Sequence, residues 1–258
     1  MSNLVFQWPK SGFRLEIESL LVARGDRVFL SAPSGGGKST LLGLMAGILA
    51  PETGSVSIGG RPLSALPPSA RDRLRGESIG VIFQQFNLVP YLTAIDNVLL
   101  PLRLNPGRRE RAERIEKEAG DSGPGWAEAA AGGLLSRLGL GRDVWRRPSS
   151  TLSVGQSQRV AAARALIGRP PLILADEPTS ALDEDAREAF LKILIFECRA
   201  AGAGLIFASH DRRLASEFGK EARLSRRGEG VFLEEAPLAP DSSSGPLAGK
   251  EEKGEAPL

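Results

Sequence analysis

The chain carries one cysteine and one histidine in 258 residues. A lone Cys198 excludes an intramolecular disulfide and any multi-cysteine zinc cluster. It lies in a helical run over 186–199 and reads as a small buried apolar residue. No apolar run reaches the roughly 18 residues that crossing a bilayer requires, and the N-terminus, Met1-Ser2-Asn3-Leu4, lacks the basic-then-apolar order of a signal peptide. The expectation is a soluble protein whose work on a membrane, if any, needs a partner that spans it. A net charge of +2 is nearly balanced, so no broad field for nucleic acid is implied. Internal repeats and long heptads are also missing. The local basic clusters Arg71-Asp72-Arg73-Leu74-Arg75 and Arg108-Arg109-Glu110-Arg111 read as solvated helix faces.

What is present is a core: 41% of the residues are apolar, enough for one large or two small domains. Val28-Phe29-Leu30 reads as a buried strand, followed by a loop over 31–37 and a helix from Lys38 to about Leu49, ended by Pro51. Val56-Ser57-Ile58 between glycines reads as an edge strand, and the segment 79–83 as another strand. From about 94 to 150 the pattern turns helical, with a Gly- and Ala-rich flexible insertion expected over about 120–133. Residues 156–167 form a strong helix pattern. Leu172-Ile173-Leu174-Ala175 and Leu205-Ile206-Phe207-Ala208 are short continuous apolar runs, as parallel strands covered on both faces would be. The tail 237–258 has few apolar anchors and is expected to be disordered.

Three stretches carry chemistry. In Ala32-Pro33-Ser34-Gly35-Gly36-Gly37-Lys38-Ser39-Thr40 the glycines let backbone N–H groups crowd around phosphates, and the helix that follows turns its positive end toward them. Lys38 supplies a point charge to the β- and γ-phosphates and Ser39 a hydroxyl to Mg²⁺. The competing reading, a glycine-rich turn, leaves the strand before and the helix after unexplained. Asp176-Glu177 ends an apolar strand. It is either a pair of solvated acids or a Walker B site, with Asp176 on Mg²⁺ and Glu177 orienting the attacking water; strand C-termini are where α/β sheets bind ligands. Ser153-Val154-Gly155-Gln156 opens a helix, either as an ordinary N-cap or as a second anion site.

The run 152–166, Leu-Ser-Val-Gly-Gln-Ser-Gln-Arg-Val-Ala-Ala-Ala-Arg-Ala-Leu, decides between them, because it resembles the signature of ABC-type ATPases. The chain looks like the ATP-binding subunit of an ABC transporter over about residues 4–235, with the motifs in family order. The resemblance implies a P-loop NTPase cassette over 1–236: an α/β parallel-sheet core, a small N-terminal antiparallel β subdomain and a helical subdomain over about 86–168. It implies ATP and Mg²⁺ as cofactors, with Ser39, Gln84 and Asp176 on the metal and Ser34, Gly35, Gly36, Gly37, Lys38, Ser39 and Thr40 on the nucleotide. Gln84 matches the Q-loop glutamine. Glu177 and His210 match the catalytic glutamate and switch histidine, and Ser180-Ala181-Leu182-Asp183 the D-loop that crosses a dimer interface. Trp8 falls where the family carries an adenine-stacking aromatic, with Phe6 and Phe13 as competitors. Two cassettes are expected to close head to tail, each lending Ser153, Gly155 and Gln156 to its partner's nucleotide. Ala32, Val154 and Ser157 depart from the usual residues; none removes a catalytic group.

Phe83-Gln84-Gln85-Phe86-Asn87-Leu88-Val89-Pro90-Tyr91-Leu92 is similar to subunits that serve permeases of the lipoprotein-releasing and macrolide-exporter type. That implies an integral membrane permease as partner and attachment to the cytoplasmic face of the cell membrane. The apolar side chains 86, 88, 89, 91 and 92 suit either a permease docking groove or packing between lobes. The alternative function is a soluble ABC ATPase acting on nucleic acid or ribosomes, but those carry long coiled coils, zinc modules or two cassettes. A P-loop kinase or GTPase leaves the signature unexplained.

Overall fold

The computed structural model describes residues 1–121, 123–228 and 230–238. In chain order it runs β1 (Ser2–Gln7), β2 (Arg14–Ser19), β3 (Arg27–Ser31), α1 (Lys38–Met45), β4 (Thr53–Ser55), β5 (Ser57–Ile58), β6 (Arg61–Pro62), α2 (Pro68–Ser78) and β7 (Ile79–Ile82). Helices α3 (Ala94–Leu104), α4 (Pro106–Glu118), α5 (Trp126–Arg137), α6 (Arg142–Trp145) and α7 (Val154–Leu166) follow. The chain then continues through β8 (Leu172–Asp176), α8 (Glu184–Ala200), β9 (Gly204–Ala208), β10 (Lys220–Arg227) and β11 (Gly230–Pro237).

Nine of these strands form one mixed sheet in the order β4-β1-β2-β11-β10-β3-β9-β8-β7. The strands β3, β9, β8 and β7 are mutually parallel, and their residues are apolar on both faces, as burial under helices on each side demands. Along β3, Val28 and Leu30 enter one apolar cluster and Phe29 the other, because successive strand side chains alternate between faces. The expected antiparallel N-terminal sheet is present as β4, β1 and β2 and is continuous with the parallel core, through the parallel pairs β2–β11 and β10–β3.

Four expectations are revised. Helix α1 stops at Met45, not near Leu49: Gly47 adopts φ +66°, and Ile48 N–H donates to Gly43 O while Gly47 N–H donates to Leu44 O, the pair of hydrogen bonds that closes a helix with a left-handed glycine. Of the segment 56–58, Ser57 and Ile58 pair with β6 in a separate two-stranded hairpin instead of edging the main sheet. The insertion expected over 120–133 is helical from Trp126 on, because Trp126, Ala131 and Gly132 are buried and the absent side chain of Gly132 makes room for the Trp145 ring. The expected disordered tail lies outside the described residues from 239 onward; Pro237 ends β11.

The fourth revision concerns Arg108, which is buried within its cluster, 2% exposed. Its guanidinium donates to Ile167 O at 2.8 Å, Ala165 O at 2.6 Å, Ile79 O at 3.1 Å and Gly76 O at 3.4 Å. Arg111 adds Gly168 O and Glu77 O. These carbonyls belong largely to the ends of α7 and α2, where a helix leaves its last carbonyls unpaired. Burial, with Arg111 close by, pushes the Arg108 pKa down to about 9, so it remains a cation at neutral pH. Arg108→Met leaves those acceptors buried without donors and is expected to cost about 2–3 kcal/mol, read as a lower denaturant midpoint at unchanged slope.

Candidate functional site

Register places the site. Ala208 of β9 is level with Leu30 of β3 and Asp176 of β8, and Ala175 is level with Ile82 of β7. The four parallel strands therefore release their loops at one height, the C-terminal edge where open α/β sheets bind ligands. β3 leads into the glycine loop, β8 into Glu177, β9 into His210 and β7 into Gln84. The result is a cleft of about 720 Å³ lined by Trp8, Phe13, Ser34, Gly35, Gly36, Gly37, Lys38, Ser39, Thr40, Gln84, Asp176, Glu177 and His210.

Two of the loop's glycines, Gly36 and Gly37, are sterically required. A Cβ on Gly36 would stand 2.8 Å from Pro33 O, and one on Gly37, whose φ is +93°, would stand 2.6 Å from the Phe13 ring. Gly37 is the N-cap of α1, so the unpaired N–H groups of the helix start face the cleft.

The acids are held by opposite means. Asp176 is half-buried and its carboxyl is pushed above the ordinary range, first by desolvation and then by neighbouring Glu177, while the nearby Ser39 hydroxyl and Lys38 pull it down. Its Oδ1 is buried and has no hydrogen-bond partner. Glu177 takes φ +47°, a left-handed conformation that costs a non-glycine residue about 1–2 kcal/mol. Its N–H donates to Ala208 O at 3.0 Å, which anchors the kink to β9. So aimed, its carboxylate meets Lys38 Nζ at 3.2 Å and His210 Nδ1 at 2.9 Å. His210 is exposed; its loop is fixed by the next residue, Asp211, which accepts from Arg187 at 2.5 Å and from Arg213 at 2.9 Å. Those guanidinium groups, Arg213 first, hold the Asp211 pKa down to about 2, so the network persists at any ordinary assay pH.

Trp8 and Phe13 flank the cleft, whereas Phe6 is buried. The Trp8 indole packs edge-on against Phe6, centroids 5.1 Å apart, and Nε1 donates to Thr40 Oγ1 at 3.2 Å. Ser153, Gly155, Gln156 and Asp183 lie outside the cleft. Ser153 and Gln156 form a reciprocal cap at the start of α7: Ser153 Oγ accepts from Gln156 N–H at 3.3 Å, and Gln156 Oε1 accepts from Ser153 N–H at 3.0 Å. Asp183 caps α8 through Ala186 N–H. Ser153 is exposed, and a Cβ on Gly155 would meet only Leu182 Cδ2, at 3.9 Å. Of the five apolar side chains after Gln84, Phe86 and Leu88 pack onto the helical core, while Tyr91 is 82% exposed.

Sequence reasoning passed over the Asp211 network and Arg164. The second had a signal, a cation four residues after Val160 on the buried stripe of α7.

A glycine loop before a helix, a lysine, two strand-end acids and a histidine on one parallel-sheet edge define a nucleoside-triphosphate-hydrolysing α/β cassette. The chain belongs to the ABC transporter family, whose profile matches residues 15–180. The lipoprotein-releasing system ATP-binding protein LolD of Hydrogenovibrio crunogenus is 38% identical, covering 81% of this chain and 82% of its own length. The uncharacterized ABC transporter ATP-binding protein YbbA of Escherichia coli K12 is 39% identical over 80% and 83%. Among solved structures, the ATP-binding cassette MJ0796, a dimeric post-hydrolysis state bound to ADP and Pi, superposes with a TM-score of 0.75 at 30% identity, covering 92% of this chain and 97% of that one. The chain is accordingly the ATP-binding, ATP-hydrolysing subunit of an ABC transporter.

Proposed function

We propose that two copies of this chain close head to tail around two ATP molecules and thereby drive a separate membrane permease of the lipoprotein-releasing or macrolide-exporter type. The observation that carries this reading is the division of the site. Lys38, Asp176, Glu177 and His210 line one cleft, whereas Ser153 and Gly155 stand at the surface beyond it. A helix start at the surface suits an anion brought by another molecule.

In each cleft the N–H groups of 34–37, with Lys38 and Thr40, hold the phosphates, and Trp8 stacks on adenine. Glu177 takes the proton of the attacking water and His210 holds the γ-phosphate end. The donor set fits Mg²⁺: a buried Asp176 oxygen without a partner, and a Ser39 hydroxyl and the Gln84 amide oxygen lining the same cleft, are hard oxygen ligands. Held by Ser39, Gln84 and Asp176, the ion would supply charge neutralisation at the phosphates. Asp183 of one copy approaches the nucleotide of the other. Trp8→Ala is expected to weaken ATP binding roughly tenfold, from the ~1–3 kcal/mol that base–aromatic stacking supplies, as read by nucleotide titration.

No helix of the described residues is long and apolar enough to cross a membrane. The permease is therefore the membrane anchor in this reading, and the chain sits on the cytoplasmic face. A cavity of about 810 Å³ beside the Q-loop, with Ile48, Phe83 and Leu104 among its walls and Tyr91 exposed nearby in sequence, suits a short amphipathic permease segment. Tagged full-length chain is to be recovered from detergent-solubilised membranes and its associates sequenced. A permease with few membrane helices and a large extracytoplasmic domain is expected; ribosomal or nucleic-acid partners instead would favour the rival reading.

A further inference from the structure

Arg164 lies in the last turn of α7, the helix that Ser153 caps at its other end. Its guanidinium reaches the segment after Gln84 and donates from Nη1 to Asn87 O at 2.7 Å and from Nη2 to Phe86 O at 2.6 Å. Both acceptors follow Gln84 closely, and both are non-glycine residues in the left-handed region, Phe86 at φ +58° and Asn87 at φ +50°. Consecutive left-handed residues persist only where surrounding structure holds them. The same segment is gripped further on by Asn97, which accepts from Val89 N–H at 2.8 Å and donates to Val89 O at 3.1 Å. Burial pushes the Arg164 pKa below the usual guanidinium value, and among the described residues no carboxylate offsets the cost; two backbone carbonyls are its counterparts.

We infer that Arg164 is a positioning residue that fixes the Q-loop kink to the signature helix, so that the position of Gln84 in one cleft and that of Ser153 at the dimer face are set together. The physical basis is rigidity. Helix α7 spans roughly 16 Å between Ser153 and Arg164, with Ala161, Ala162, Ala163 and Val160 buried along it. It therefore moves as a rod. A shift of the kink that carries Gln84 tilts the rod through Arg164 and displaces the Ser153 cap. A lysine cannot replace the arginine, because one ammonium lacks the planar fork that reaches two adjacent carbonyls.

This inference rests on the site assignment proposed above, and the test separates the two. In a Glu177→Gln background, ATP-driven dimerisation is measured by light scattering with and without Arg164→Lys, alongside ATP affinity and thermal midpoint. The expected result is that Glu177→Gln dimerises and that Arg164→Lys weakens this at least tenfold, while monomer ATP affinity stays within twofold and the midpoint falls by only the few degrees that one lost hydrogen bond costs. In the otherwise native chain, Arg164→Lys is expected to lower turnover tenfold and to flatten its cooperative dependence on ATP. Adding Asn87→Gly, which relieves the left-handed strain, is expected to restore part of both. Dimerisation of Glu177→Gln/Arg164→Lys at the level of Glu177→Gln alone overturns the inference, as does a loss of dimerisation explained by an equal loss of ATP affinity or of folded protein. Failure of Glu177→Gln itself to dimerise overturns the site assignment instead.

Discussion

Glu177→Gln binds ATP at least as tightly as the native chain, accumulates as a dimer and loses turnover by about 10²- to 10⁴-fold, the usual contribution of a positioned general base. Three features of the structure support that expectation. The carboxylate stands between Lys38 at 3.2 Å and His210 at 2.9 Å, within reach of a water approaching a phosphate held by Lys38. Its left-handed backbone is tied to β9, so the side chain does not search for its position. An amide of the same shape keeps the packing but cannot take a proton, and it removes a negative charge from beside the incoming phosphates. Steady-state phosphate release and light scattering with ATP check both halves of the prediction. A monomer with native turnover would contradict the assignment of Glu177 and of the dimer together.

Ser153→Arg gives a monomer that binds ATP normally and turns it over about 10²-fold or more slowly, the scale of losing a positioned anion contact. The surface around Ser153 is open: the residue is exposed and Gly155 has space for a side chain in the single chain. An arginine there meets no obstacle until a second copy approaches, when its bulk and charge enter the facing cleft. The substitution also removes the cap that accepts from Gln156 N–H, worth about 1 kcal/mol. Ser153→Ala loses the same cap without adding bulk, so the excess effect of arginine reports closure. Nucleotide titration of the monomer against concentration-dependent turnover separates the two. Equal turnover in Ser153→Arg and Ser153→Ala would sink the reading of 152–156 as a dimer contact.

The order of the elements was legible because its signals are local. Continuous apolar runs marked β3, β8 and β9, and glycines before Lys38 marked the loop. The run 152–166 marked α7 and the family. Two residues were misread where a tertiary partner overrules composition. Gly132 looked like part of a flexible insertion, yet it is the small residue over which the Trp145 ring packs. Arg108 looked like part of a solvated face, yet the carbonyls that surround it come from α2, β7 and α7. Neither partner is near in sequence, so no window around these residues contains the information.

By itself the sequence determined the chemical groups and their order: a phosphate loop, a Q-loop glutamine, a signature, two acids and a histidine, each readable because it needs particular residue types at short spacing. Only the tertiary structure decided which of them share a cleft. Strand register brings Leu30, Asp176 and Ala208 to one level, so the loops after β3, β8 and β9 meet although the residues are far apart in the chain. The same geometry leaves Ser153 outside, on a helix whose other end Arg164 pins to the Q-loop. Left-handed turns at Glu177 and Phe86 were equally beyond the sequence, since nothing in a glutamate or a phenylalanine announces a positive φ until packing imposes it.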